Sequence, residues 1–387
     1  MCDALGQNMK LEGNIPGRGL VEVTVHNARI ASVVELGSQC EGKPYLCPGF
    51  VDIQINGFAG IDFGDTSVSP ERLVSVLPSL WRTGVTTFLP TLVTSPHEDL
   101  VRNFRKLEEA RRLDPRFARA VPGYHLEGPY VSPGEARGAH NPAHMRLPDW
   151  KEFTQYQEAA GGRIRILTLA PELPGALDMI RRAREQGMVV AIGHTDCTQE
   201  DIHHAAEVGA TLSTHLGNGC PQFIHRRDSA TWTQLAEDRL SASLICDTFH
   251  TGADFIRVVV HSKGIDRCIL ISDAMYAATL PPGRYWLGTM EVEMRPSGEV
   301  AKIGDWCLAG SSLRMSRAVS VFMQQGGLSL ADAVRAAAHN PARLLSLEAV
   351  CSEIAEGQPA NLVTFYDGDH DLRVERVISG GEIVYAA

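Results

Sequence analysis

The sequence lacks the cysteine spacing of a zinc ribbon or a disulfide framework. Its nine cysteines (2, 40, 47, 197, 220, 246, 268, 307 and 351) are odd in number, scattered, and never spaced C-x-x-C. Reduced thiols in a cytoplasm are therefore the expectation. No segment approaches the roughly 18 consecutive apolar residues of a membrane-spanning helix. The opening MCDALGQNMKLEG has neither the basic nor the long apolar stretch of a secretion signal. Positive charge is also scarce: 36 Lys plus Arg face 46 Asp plus Glu, a formal net charge of −10. That balance disfavours nucleic acid and anionic membrane as partners, although a few local arginines can still hold a small anion.

What is present is apolar. The chain is 44% hydrophobic and 21% charged, with 36 glycines, a composition that fits a globular core and argues against disorder or coiled coil. Its 387 residues allow two to three ordinary domains, or one α/β barrel of about 250 residues with something attached.

The pattern favours the barrel. Alternating, β-branched VEVTVHNARIASVV reads as a hairpin turning at His26-Asn27-Ala28-Arg29, and ANLVTFYDGDHDLRVERVISGGEIVYAA reads as three short strands. Neither end can build a sandwich alone, so the two are expected to pair into one small β domain. Between them lie eight continuous apolar runs: Gly49–Asn56, Val85–Pro90, Val121–Glu127, Ile164–Leu169, Met188–His194, Thr211–His215, Ser243–Asp247 and Cys268–Asp273. Continuous runs suit strands buried on both faces, and amphipathic segments such as EDLVRNFRKLEEARRL and ALDMIRRAREQG separate them. Eight such units predict a (β/α)8 barrel with its active site at the C-terminal strand ends.

Several runs end in chemistry rather than in turn residues. GYHLEGP closes on Glu127, VVAIGHT on His194, TLSTHLGN on His215 and CILISDA on Asp273. All four would rim one mouth of the barrel and could converge there. One Glu and two His form a donor set that leaves a catalytic zinc open positions for water. A single strand-end histidine as often satisfies a carbonyl, but four such residues in this arrangement favour a site.

The motifs PGFVDIQING (48–57), HLEGPYVSPGEARGAH (125–140), AIGHTDCT (191–198), STHLGN (213–218), ISDAM (271–275) and LAGSSLRM (308–315) occur in this order. Together they resemble the N-acetylglucosamine-6-phosphate deacetylase family of the amidohydrolase superfamily. The resemblance implies a distorted (β/α)8 TIM barrel over 48–344 with a small β-sandwich built from 1–47 and 345–387. It further implies Glu127, His194 and His215 as metal ligands and Asp273 as catalytic acid/base. His140 would contact the reacting acyl group, and His250 the substrate. Asn218 and Gly219 would contact the sugar phosphate. Arg226 would reach the phosphate of a neighbouring subunit's substrate in a homodimer.

Two departures stand out. Where many amidohydrolases carry His-x-His for a second metal, this chain has Gln54-Ile55-Asn56, and neutral amides are poor ligands beside imidazole. One divalent ion per chain is the expectation, zinc first, with iron(II) or cobalt(II) acceptable to the same donors. After His215 the family has an aromatic and then Asn-Ala-Met; here stand Gly217-Asn218-Gly219-Cys220. Some residues are read as structural. His203-His204 fit a solvated helix face, and INGFAGIDFG a barrel-mouth turn. Cys220 and Cys246 fit small core positions, His339-Asn340-Pro341 a junction between two helices, and His125 an outer partner of the site.

The expected activity is metal-dependent deacetylation of an N-acetylated amino-sugar phosphate. The alternatives are hydrolysis of another N-acyl compound, such as an N-acyl amino acid or a cyclic amide, and a barrel that binds without catalysis. Arg226 favours a phosphorylated substrate, and the complete ligand set favours an enzyme.

Overall fold

In the computed structural model, which describes residues 8–288, 290–305, 307–347 and 353–387, the eight apolar runs become eight neighbouring parallel strands. They are β1 (Phe50–Ile55), β2 (Val85–Val93), β3 (Tyr124–Glu127), β4 (Ile164–Leu169), β5 (Val189–Ile192), β6 (Ala210–Ser213), β7 (Ser241–Leu244) and β8 (Cys268–Leu270). They follow one another in sequence order within a single sheet. Every residue of β1, β3, β5 and β8 is buried, which explains why the runs do not alternate.

Helices cover the outside of this sheet. His97–Leu113 buries Leu100, Phe104 and Leu107 along one stripe, with Glu98 and Asp99 in its first turn and Arg111 and Arg112 in its last. Those charges oppose the helix dipole at each end. Gln199–Val208 starts in a capping box of Thr198 and Asp201, which fixes where the loop after β5 ends.

β1 and β8 are the two ends of the strand order. No regular ladder joins them. The nearly closed barrel is completed by main-chain bonds just past β8: Asp273 N–H donates to Gln54 O (2.9 Å), and Asn56 N–H to Ala274 O (2.8 Å). This is the distorted TIM barrel that the sequence predicts.

The ends of the chain do pair with each other. Gly19–His26 and Arg29–Gly37 form the expected hairpin, with Asn27 and Ala28 at positive φ in the turn. Leu362–Tyr366, Arg373–Ser379 and Glu382–Ala386 are the three expected C-terminal strands. Tyr45–Pro48 links the two groups, pairing antiparallel with Leu362–Phe365. The result is one seven-stranded sheet packed on its own core of Leu11, Val23, Ile30, Leu46 and Leu362.

Three features differ from the sequence reading. Met9–Ile15 adds a further strand to the terminal sheet. After β8 the chain makes a three-stranded antiparallel excursion, Gly283–Leu287, Met290–Met294 and Val300–Lys302, anchored by Met275, Val292 and Met294. His339-Asn340-Pro341 is no junction between separate helices: Leu330–Val334, a π-helical turn at Arg335–His339 and Asn340–Leu344 form one helical course. Pro341, which has no N–H to donate, directly follows the π turn, in the first turn of Asn340–Leu344. INGFAGIDFG is a turn as expected, pairing Gly57 with Asp62. The seven described cysteines are free, while Cys2 and Cys351 lie outside the described residues. Among the described residues no helix is long and apolar enough to cross a membrane.

Candidate active site

Glu127 is the last residue of β3, whereas His194 and His215 lie two residues past β5 and β6, and Asp273 three past β8. The strands are shorter than the apolar runs because the backbone leaves the ladder before each of these residues. His194, His215 and Asp273 all have positive φ, at 51°, 31° and 48°. Left-handed backbone costs a non-glycine residue on the order of 1–3 kcal/mol and persists only where surrounding bonds over-determine it. Those bonds are present. His194 O accepts from Ser132 N–H (2.9 Å), and His215 N–H donates to Ser243 Oγ (2.8 Å).

The end of β3 and the turns at His194 and His215 aim three donor atoms at one point. His194 Nε2 lies 3.0 Å and His215 Nε2 2.9 Å from the same oxygen, Glu127 Oε1, and the two Nε2 atoms are 3.1 Å apart. All three residues are buried. Burial alone would raise the Glu127 carboxyl, but its hydrogen bonds to His194 and His215 hold it well below the carboxylate range. His194 Nδ1–H donates to Ala136 O (3.1 Å), which leaves the Nε2 lone pair free to point inward. Three lone pairs this close need a cation or protons between them. The group is compatible with a divalent metal site, and among the described residues no other cluster of three His, Cys, Asp or Glu is.

Asp273 stands beside this trio. Asn56 Nδ2 donates to its Oδ1 at 2.7 Å, and Gln54 Nε2 reaches the same atom at 3.5 Å. Burial, and then the charge of Glu127, raise the Asp273 carboxyl above its ordinary value. The Gln-x-Asn pair thus serves Asp273.

His140 packs edge-on against His194, ring centroids 4.1 Å apart, and its Nδ1 is 2.6 Å from Thr94 Oγ1. Burial, then the neighbouring His194, lower it to about 3, so it is a neutral imidazole. The Thr94 bond fixes the ring's orientation. His250 Nδ1 donates to Asp247 Oδ2 at 2.6 Å. Asn218 N–H donates to His215 O (2.9 Å), while its Nδ2 is buried with no hydrogen-bond partner. Gly219 O accepts from Thr195 N–H (3.1 Å). Arg226 is exposed on a loop that also exposes Phe223 (87%) and Ile224.

Residues 45–384 match the Amidohydrolase family. The chain is 36% identical to the N-acetylglucosamine-6-phosphate deacetylase of Bos taurus, over 89% of its own length and 84% of the relative's. It is 32% identical to the N-acetylgalactosamine-6-phosphate deacetylase of Escherichia coli O157:H7, over 87% of each. A solved structure from Mycobacterium smegmatis, an N-acetyl-D-glucosamine-6-phosphate deacetylase variant in complex with N-acetyl-D-glucosamine-6-phosphate, superposes with a TM-score of 0.87. That pair is 32% identical over 98% of this chain and 100% of the other. The chain belongs to the amidohydrolase family, in the branch of the N-acetylglucosamine-6-phosphate deacetylases.

As an amidohydrolase it departs from the family pattern at Gly217, and the structure supplies a reason. At φ 91°, a Cβ on residue 217 would stand 2.7 Å from Phe255 Cζ, so a ring from the following helix, Ala253–Lys263, fills the adjoining space. Sequence reasoning missed four residues of this amidohydrolase site: Thr94, Asp247, Glu172 and Asn56 as a partner of Asp273. Glu172 accepts from Thr195 Oγ1 (2.6 Å) and Asp196 N–H (3.2 Å), and so braces the turn after His194. Asp247 closes a predicted apolar run, the same signal that picked out Glu127. Asn56 closes the first run in the same way, whereas Thr94 and Glu172 carry no such signal. His125, expected as an outer partner, donates from Nδ1 to Ile53 O (3.2 Å) and accepts at Nε2 from Thr168 Oγ1 (2.7 Å). His203 is on an exposed face as expected, yet it also pairs with Glu237 at 3.0 Å.

Proposed function

We propose that this chain hydrolyses the N-acetyl amide of an amino-sugar phosphate, N-acetylglucosamine-6-phosphate first, to glucosamine-6-phosphate and acetate in amino-sugar catabolism. One observation carries the reading: Glu127, His194 and His215 converge beside Asp273 in a chain that matches such deacetylases over most of its length. Glu127, His194 and His215 would hold one divalent ion, zinc before iron(II) or cobalt(II). When bound, such an ion supplies Lewis acidity at a carbonyl oxygen and lowers the pKa of an attacking water.

The chain's own groups do the rest. With Oδ1 occupied by Asn56, Asp273 uses Oδ2 to take the proton from the attacking water and later returns it to the departing nitrogen. His140, neutral and held by Thr94, donates from Nε2 to the acyl oxygen as charge develops there. His250 is oriented toward substrate by Asp247. The unpartnered amide of Asn218 offers its N–H groups to a substrate acceptor, together with the backbone at Gly219. An unmet buried donor costs on the order of 1–3 kcal/mol, which substrate binding would recover. Arg226, exposed on a loop that also exposes Phe223 and Ile224, reaches the phosphate in the partner's site of a homodimer. The sandwich of 1–47 with 345–387 flanks a catalytic barrel of 48–344, and the free thiols fit a cytoplasmic enzyme.

A panel of N-acetyl amino-sugar 6-phosphates, their unphosphorylated sugars and N-acetyl amino acids, assayed with metal analysis, tests the reading. The phosphorylated glucosamine and galactosamine compounds should be hydrolysed far faster than the rest. Equal rates on unphosphorylated compounds would instead favour hydrolysis of another N-acyl substrate.

A further inference from the structure

Two pieces of the sequence have no part in the chemistry above: the aspartate of PGFVDIQING and the first serine of LAGSSLRM. The structure brings both to Ser272, the residue before Asp273. Asp52, in the middle of β1 and 1% exposed, accepts from Ser272 Oγ–H at Oδ2 (2.5 Å) and from Ser272 N–H at Oδ1 (3.2 Å). Ser272 Oγ in turn accepts from Ala274 N–H (3.1 Å). From the other side, Ser311 Oγ–H donates to Ser272 O (2.6 Å), and Ser311 N–H to Asp273 O (2.9 Å). Leu313 N–H closes onto Ser311 Oγ (3.0 Å). Together with the Asp273 N–H bond to Gln54 O, every polar atom of the two peptide units around Asp273 has a fixed partner.

This is more than strand pairing supplies. β1 and β8 share no ladder here, so the side chains of Asp52, Ser272 and Ser311 replace it at the one point where a reacting carboxyl leaves the backbone at φ 48°. Rotation of that peptide would swing the carboxyl away from Asn56 and from the Glu127 trio.

We propose that Asp52 and Ser311 are positioning residues that act through Ser272 to aim the Asp273 carboxyl. The inference rests on Asp273 being the acid/base. It predicts a specific kinetic pattern in the metal-loaded enzyme. Ser311→Ala, which removes a hydroxyl and leaves the backbone bonds, should lower kcat by up to about a hundredfold, as misplacement of a catalytic group does. KM and metal content should stay near wild type. Asp52→Asn should do the same above about pH 7, where the carboxylate accepts the Ser272 hydroxyl proton at Oδ2 and an amide cannot.

The decisive comparison is made in the Asp273→Asn background. There, neither change should lower the remaining rate further, since there is no carboxyl left to aim. If Ser311→Ala costs the same factor in both backgrounds, or if kcat, KM and metal content fall together, the role is structural and the inference fails. A wild-type kcat in Ser311→Ala also overturns it, even should Asp52→Asn not fold. Wild-type turnover in Asp273→Asn alone would instead remove the acid/base assignment on which the inference stands.

Discussion

His194 and His215 present their Nε2 atoms to each other at 3.1 Å across a single oxygen of Glu127. Chelation should therefore unfold the protein at lower temperature, because an ion bound only by the folded state stabilises it by mass action. Thermal melts with and without chelator, and with re-added zinc, measure this. Glu127→Ala and His194→Ala should bind metal far more weakly by elemental analysis. A melt indifferent to chelator and zinc would count against a resident ion.

Asp273→Asn should retain metal and melting temperature while losing about 10²–10⁴ in kcat, the usual weight of a general acid/base. The amide keeps the shape but cannot take a proton. Steady-state kinetics beside metal analysis separates this outcome from a folding defect.

The exposed Arg226 should work in trans. Arg226→Ala and Asp273→Asn proteins should each be nearly inactive, yet refolding them together in equal amounts should restore roughly a quarter of wild-type activity. Half of the dimers would then be mixed, each with one intact site. Activity equal only to the sum of the separate proteins, with subunit exchange confirmed, would place the arginine in its own site or outside both.

Gly217→Ala should destabilise by about 1–3 kcal/mol from backbone strain at φ 91°, with a further steric cost against Phe255. Adding Phe255→Ala should relieve the steric part. Urea denaturation of the two single variants and the double variant would show the coupling. Strict additivity would mean that the ring does not fill that space.

Asp52 gives a pH signature independent of turnover. Burial, partly offset by its Ser272 bonds, raises its carboxyl from 3.8 to about 7. Between those values the folded state keeps a proton that the unfolded chain has released, so stability falls as pH rises. The stability of wild type relative to Asp52→Asn should therefore drop by up to roughly 1.4 kcal/mol per pH unit from about pH 4 to 7 and level off above. A difference that stays flat across this range would contradict the raised value.

The barrel was legible in the sequence because strands buried on both faces must be continuous apolar runs, and helices of this length must be amphipathic. Both leave period and composition along the chain. The terminal hairpin was legible for the same reason, in alternation and turn residues. The Glu127, His194, His215 and Asp273 set could be read because polar residues closing buried strands have nowhere to go but the barrel mouth.

The order of the elements and the residues that converge were thus readable from the chain alone. How those residues are held emerges only once it folds. Left-handed turns at His194, His215 and Asp273, the Thr94 and Asp247 bonds to His140 and His250, and the seam of Asp52, Ser272 and Ser311 join residues up to 259 positions apart (311 − 52). Phe255 against Gly217 is of the same kind. Apart from the Asp247–His250 bond, made within one loop, these pairings join different strand–helix units, and a contact between units leaves no period in the chain to read.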